Sequence, residues 1–197
     1  MKKLVILLLL ILIFFIIIFT VNYIRFNLLN KELHSKKLLN LQDVGPKYHI
    51  INFRERNIND VSDFSKTLGW KKGYLIEFQK GTSVQDAVFV LSYNSEYPKE
   101  NISKAISKEN TFINSSIGKN GEIWIGELVE NPENIVKVGE NEIIFKSSSV
   151  LNNTPLIDYR IIFIKGNTLE LVSVSGSEKY VSINDFIKYT KTVEQLI

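Results

Sequence analysis

Hydrophobic positions along this chain form one unbroken block, followed by short groups that alternate or recur at helical spacing. The block runs from Leu4 to Ile24, 21 residues without a charge and apolar apart from Thr20, Asn22 and Tyr23. A helix of that length rises about 31 Å, enough to cross the hydrocarbon core of a bilayer. A segment apolar on every side offers no face to water, and the rest of the chain is too small to surround it. A cleaved signal peptide has a shorter apolar stretch followed by small residues, whereas Phe19-Thr20-Val21-Asn22-Tyr23 is bulky. The chain has no cysteine, which excludes lipoprotein processing. Residues 1–25 therefore read as a retained anchor in contact with the lipid bilayer, with Leu4, Phe14, Phe15 and Ile24 among its apolar side chains.

Lys2 and Lys3 precede the block, while Arg25, Lys31, Lys36 and Lys37 follow it, so counting positive charges does not fix the orientation. Long C-terminal domains translocate largely regardless of charge, and a short positive N-terminus is typical of a signal-anchor. The expectation is a single-pass protein with a cytoplasmic N-terminus and an extracytoplasmic domain. Residues 26–46 read as a juxtamembrane stalk. In it Phe26, Leu29 and Leu33 keep helical spacing, and Leu38, Leu39 and Leu41 add apolar content. The seam is too short for a sustained coiled coil. Gly45-Pro46 is expected to stop the helix, placing the start of the folded domain at Lys47.

Residues 47–197 predict one α+β domain, a mainly antiparallel sheet with about three helices. Tyr48 to Phe53 reads as a strand, followed by a short helix capped by Asn59 or Asp60 and ended by Gly69. A hairpin follows, from Tyr74 to Gln79 and from Ala87 to Tyr93, with Lys80-Gly81-Thr82-Ser83 as its turn. Pro98 suits the first turn of a helix carrying Ile102, Ala105 and Ile106, and Ile123 to Val129 reads as a strand. The order strand, helix, strand, strand, helix, strand matches a ferredoxin-like unit in the first half. Further on, Ile135 to Val138 and Glu142 to Lys146 predict a hairpin across Gly139-Glu140-Asn141. After a Ser- and Asn-rich loop, Ile157 to Ser175 predicts another, turning at Lys165-Gly166-Asn167-Thr168. Ile161 to Ile164 is apolar on both faces, as a central strand would be. A final helix is capped by Ser182, with Ile183, Phe186, Ile187, Thr190, Val193 and Leu196 on one side.

Charge narrows the partners. Three of the 24 Lys and Arg residues flank the anchor, leaving 24 − 3 = 21 against 21 Asp and Glu, so the remainder is formally neutral. A neutral domain lacks the basic footprint of a nucleic-acid-binding protein. Ile, Lys and Asn are frequent, as in chains from AT-rich prokaryotic genomes. Zero cysteines exclude disulfides, thiolate metal sites and cysteine nucleophiles. The two histidines are His34, in the stalk, and His49, at the start of a strand, so paired imidazoles are not expected in the domain.

Candidate chemistry is sparse, and no cofactor is called for. Gly118-Lys119-Asn120-Gly121 lacks the spacing of a phosphate loop and reads as a turn. Glu122, Glu127, Glu130 and Glu133 cluster in sequence, but as surface charge rather than as a glycosidase pair. Arg54-Glu55-Arg56 reads as a charge cluster at a strand end. Trp70, Tyr93, Tyr97 and Trp124 are the candidate binding aromatics, with membership of the core as the competing role. Three function classes follow. The first is a membrane-anchored binding or adaptor module for a protein partner in the envelope, not an enzyme. The second is an immunity or inhibitor protein against a toxin. The third is a hydrolase with a carboxylate site dispersed in the sequence.

Overall fold

The computed structural model describes residues 2–107, 125–127 and 138–197. In chain order the elements are α1 (Lys2–Ser35), α2 (Leu41–Val44), β1 (His49–Arg56), α3 (Asp63–Thr67), β2 (Lys72–Lys80), β3 (Val88–Glu96) and a helical stretch at 102–107, α4. They continue with β4 (Ile125–Glu127), β5 (Glu140–Leu151), β6 (Thr154–Lys165), β7 (Thr168–Ser177) and α5 (Ile183–Leu196). Every strand pairing among the described residues is antiparallel, in the order β1-β2-β3-β7-β6-β5-β4. The α+β class with an apolar N-terminal helix and a mainly antiparallel sheet is thus the architecture found.

The ferredoxin-like pairing is not adopted. In that unit the strands flanking the first helix run parallel, whereas β1 and β2 are antiparallel neighbours, with Phe53 opposite Ile76. The five residues of α3 rise only about 8 Å, too little to carry the chain back along a sheet face. Its cap also differs from expectation. Asn57 caps a 3₁₀ turn at Ile58–Asp60, and the Ser62 hydroxyl accepts from the amide of Ser65 to start α3. Gly69, at φ +76°, ends it as expected.

Two further expectations change in the second half. Gly139-Glu140-Asn141 is not a hairpin turn. Glu140 already pairs with Ile164, and the register shifts before Ile143, so a bulge opens β5; residues 135–137 lie outside those described. The Ser- and Asn-rich segment is not a loop either. Ser147, Ser148 and Ser149 are paired in β5, and Asn152 and Asn153, at φ +50° and +62°, form a tight turn into β6.

Alternating side chains divide the core between the two faces of the sheet. On one face Ile76, Phe78, Val88, Val90, Ile161, Phe163, Val172 and Val174 pack with Phe186, Tyr189 and Val193 of α5. On the other, Ile162, Ile164, Leu169 and Leu171 pack with Val61, Leu68, Trp70, Tyr97 and Ile102. The first cluster also includes Leu33, Leu38, Leu39 and Val44, all from the segment expected to be a stalk. Leu33, Leu38 and Leu39 have no exposed surface.

Candidate functional site at the junction of the long helix and the sheet

Among the described residues, one helix is long and apolar enough to cross a membrane. Phe14, Phe15 and Ile24 are exposed on it, as are the apolar residues around them, while Leu4 is helical and its side chain lies outside those described. α1 continues without a break to Ser35, so Asn30 and Leu33 enter the domain on the same rod that carries the apolar block. It ends one residue before a lysine. Lys37 takes φ +61°, its amide donates to the carbonyl of His34 at 2.9 Å, and the Leu38 amide donates to that of Leu33 at 3.0 Å. That pair of bonds is a Schellman motif, with Leu33 and Leu38 making its apolar contact inside the core. The stop therefore comes well before Gly45-Pro46.

Several groups hold this end of α1. The Asn94 side chain donates to the carbonyl of Lys36 at 2.7 Å and accepts from the amide of Tyr74 at 3.0 Å. The Lys36 ammonium reaches the Tyr74 hydroxyl at 3.3 Å, which raises its pKa, and lies 4.6 Å from that ring's centre. Asn40 caps α2, and Asp43 completes a reciprocal capping box. From α5, Lys188 donates to the carbonyl of Asp43 at 2.8 Å and Tyr189 to that of Val44 at 3.2 Å. Burial raises the pKa of Tyr189 strongly, so its hydroxyl keeps the proton it donates. Beside Asn94, in register on β7, lies Glu170, fully buried and with no donor to either oxygen among the described residues.

The candidate aromatics fall on the opposite face. Trp70 and Tyr97 are buried in the second cluster, and Tyr93 is half-buried against it, so three of the four come together; Trp124 lies outside the described residues. The Arg56 guanidinium sits 4.7 Å from the centre of the Tyr93 ring and donates to the Ser95 hydroxyl at 2.7 Å. An open depression of about 440 Å³ adjoins this cluster, with Arg56, Asn57, Ile58, Trp70, Lys71 and Lys72 in its wall. The Trp70 indole N–H is buried there without an acceptor among the described residues. Lys71 and Lys72 approach the Glu96 carboxylate at 3.9 and 3.3 Å.

A polar cluster that sequence reading did not single out lies on the same face. Asp158, nearly buried, accepts from the Ser173 hydroxyl at 2.6 Å and from Arg160 at 2.8 Å. Both oxygens of the carboxylate are engaged and no imidazole adjoins it, so the cluster resembles structural polar pairing rather than a nucleophile with its base. Only the spacing Asp158-x-Arg160, two residues on one face of a strand, signalled it in the sequence. His49 is exposed on β1. Of the clustered carboxylates, Glu122, Glu130 and Glu133 lie outside the described residues, as does the side chain of Glu127. Among the described residues no group of three or more His, Cys, Asp or Glu side chains is placed to hold a metal ion.

Comparison with known proteins gives a fold rather than a family. No family model and no curated protein sequence matches the chain. Among solved structures, the extracellular domain of PknH from Mycobacterium tuberculosis superposes with a TM-score of 0.60 at 10% sequence identity, covering 82% of this chain and 92% of that one. At that identity the likeness is one of fold.

Proposed function

We propose that this chain is a single-pass membrane protein whose α+β domain lies outside the cytoplasm and binds another protein of the envelope, with no catalysis of its own. The observation that carries this reading is the passage of one membrane-length helix, unbroken, into the core of a domain folded like an extracellular one. A helix seated in the core leaves no slack between bilayer and domain, which suits presentation of a surface at a set height. The contact surface we assign is the depression beside Trp70, whose wall of mixed charge carries Arg56, Lys71 and Lys72 together with Glu55.

Two measurements on the full chain test this. Lys179 is exposed and the chain has no cysteine, so Lys179→Cys gives a single reporter thiol. A membrane-impermeant maleimide should label it in intact spheroplasts; labelling only after lysis would put the domain in the cytoplasm. A photoreactive group at Lys71 should then yield a discrete adduct with one envelope protein, lost in Arg56→Glu. Absence of any discrete adduct in cells grown under several conditions would overturn the binding reading.

A further inference from the structure

Where α1 leaves its last turn, one side chain meets two partners that make opposite demands on it. The Nε2 atom of His34 lies 2.6 Å from Nδ2 of Asn40 and 3.0 Å from Oδ2 of Asp43. Neither partner is free to turn. Oδ1 of Asn40 accepts from the backbone amides of Gln42 and Asp43, at 2.7 and 3.2 Å, so rotating the amide would set donors against donors. Oδ2 of Asp43 accepts from the backbone amide of Asn40 at 2.8 Å. A single ring nitrogen thus faces a donor and an acceptor. A neutral ring with its proton on Nδ1 accepts at Nε2 and satisfies Asn40, and one with its proton on Nε2 donates to Asp43; protonated on both nitrogens, the ring can only donate at Nε2, and Asn40 loses its acceptor.

The charged groups at this corner come from each element packed there. Asp43 is on α2, and Lys188 of α5 donates to the Asp43 carbonyl. Lys31, Glu32, Lys36 and Lys37 neighbour His34 in the chain, and Lys36 in turn reaches the Tyr74 hydroxyl of β2. Asn40 is buried and His34 is partly exposed, so the proton reaches the ring from solvent while its effect falls on an interior group.

We propose that His34 is a proton-operated catch between the membrane helix and the domain. Neutral, with its proton on Nδ1, it holds the Asn40 amide and with it the cap of α2. Protonated, it turns to Asp43, and the amide of Asn40, now 2.6 Å from an N–H, is pushed out of place. Because α2 bears Val44 into the core and its carbonyls accept from Lys188 and Tyr189, releasing its cap loosens the seat of the membrane helix. The inference rests on α1 being the membrane helix and is independent of which side the domain faces.

Magnetic resonance on the full chain in detergent micelles, with ¹⁵N-labelled asparagine and ¹³C-labelled histidine, tests it between roughly pH 8 and 5, the range in which imidazoles titrate. The Asn40 side-chain amide and the His34 ring should shift with one common midpoint. Exchange of the Gln42 and Asp43 amides, corrected for intrinsic rates, should quicken several-fold on the acid side. His34→Gln presents an acceptor at every pH and should abolish both responses. An Asn40 amide that stays fixed while His34 titrates would overturn the catch, as would a ring that does not titrate in this range. The wild-type measurement decides alone if the variant does not fold, and neither result depends on the labelling or crosslinking outcomes above.

Discussion

Both carboxyl oxygens of Glu170 lie inside the protein without a donor among the described residues, and burial raises its pKa well above the usual carboxylate range, with Lys37 opposing the shift. The sign of the consequence follows from linkage. An acid that binds its proton more tightly when folded contributes nothing unfavourable below the ordinary carboxylate pKa, and stability then falls as pH rises toward the raised value. Each pH unit in that window costs about 1.4 kcal/mol. Glu170→Gln keeps the shape and cannot ionise, so denaturant melts of the variant in micelles should lack the decline from about pH 4 upward that the parent shows. Equal slopes for the two proteins would mean that the Glu170 carboxylate finds a partner once ionised. No spacing rule marked this residue: Glu170 sits between Leu169 and Leu171, and the even positions it shares with Val172 and Val174 mix polar with apolar residues. It is buried because β7 lies between β3 and β6 and is covered on both faces, a tertiary fact.

At the scale of elements, α5 behaves as its pattern foretold. Phe186 is fully buried and stacks on Tyr159 at 5.8 Å between ring centres, so Phe186→Ala should cost about 3 to 5 kcal/mol in denaturant melts. A loss under about 1 kcal/mol would make the helix peripheral. Residues 26–46 read differently in the fold than in the sequence. The stop after Ser35 was invisible because the left-handed position is filled by Lys37 instead of glycine, and the segment's leucines follow no single period once the helix has ended. Asn40-x-x-Asp43 did carry a capping signal, one that becomes meaningful only beside His34. Asn152-Asn153 was legible as polar, but as a loop; two consecutive left-handed asparagines make it a hairpin. The segment's burial sets a boundary for the folding unit. Leu33, Leu38, Leu39 and Val44 stabilise by roughly 1.5 to 3 kcal/mol each if withdrawn from water. A fragment beginning at Lys47 should therefore fail to melt cooperatively, whereas one beginning at Asn27 should do so. A cooperative melt of the shorter fragment, judged by circular dichroism, would return this segment to the status of a stalk.

For the whole molecule, the pairing of β3 with β7 joins two runs of strands into one sheet, each run made by neighbours in the chain. The outer strand β1 carries a register irregularity between Ile50 and Asn52 and the charged run Arg54-Glu55-Arg56, features that discourage another sheet from adding to that edge. The bonds from Lys188 to Asp43 and from Tyr189 to Val44 each close over 145 positions of chain. Ribosomes add about 5 to 20 residues per second, so the partner of α2 emerges roughly 7 to 30 seconds after α2 itself. Throughout that interval the apolar block can already lie in the bilayer while Leu33, Leu38 and Leu39 wait beside it in a core cluster that still lacks Phe186, Tyr189 and Val193 of α5. The nascent protein must pass this delay with an unfinished core at the membrane surface, shielded by lipid or by a chaperone, and α5 completes the cluster when it docks. A chain stalled in translation before Ile183 should on this account stay protease-sensitive at Lys36 and Lys37, however long it is given to fold.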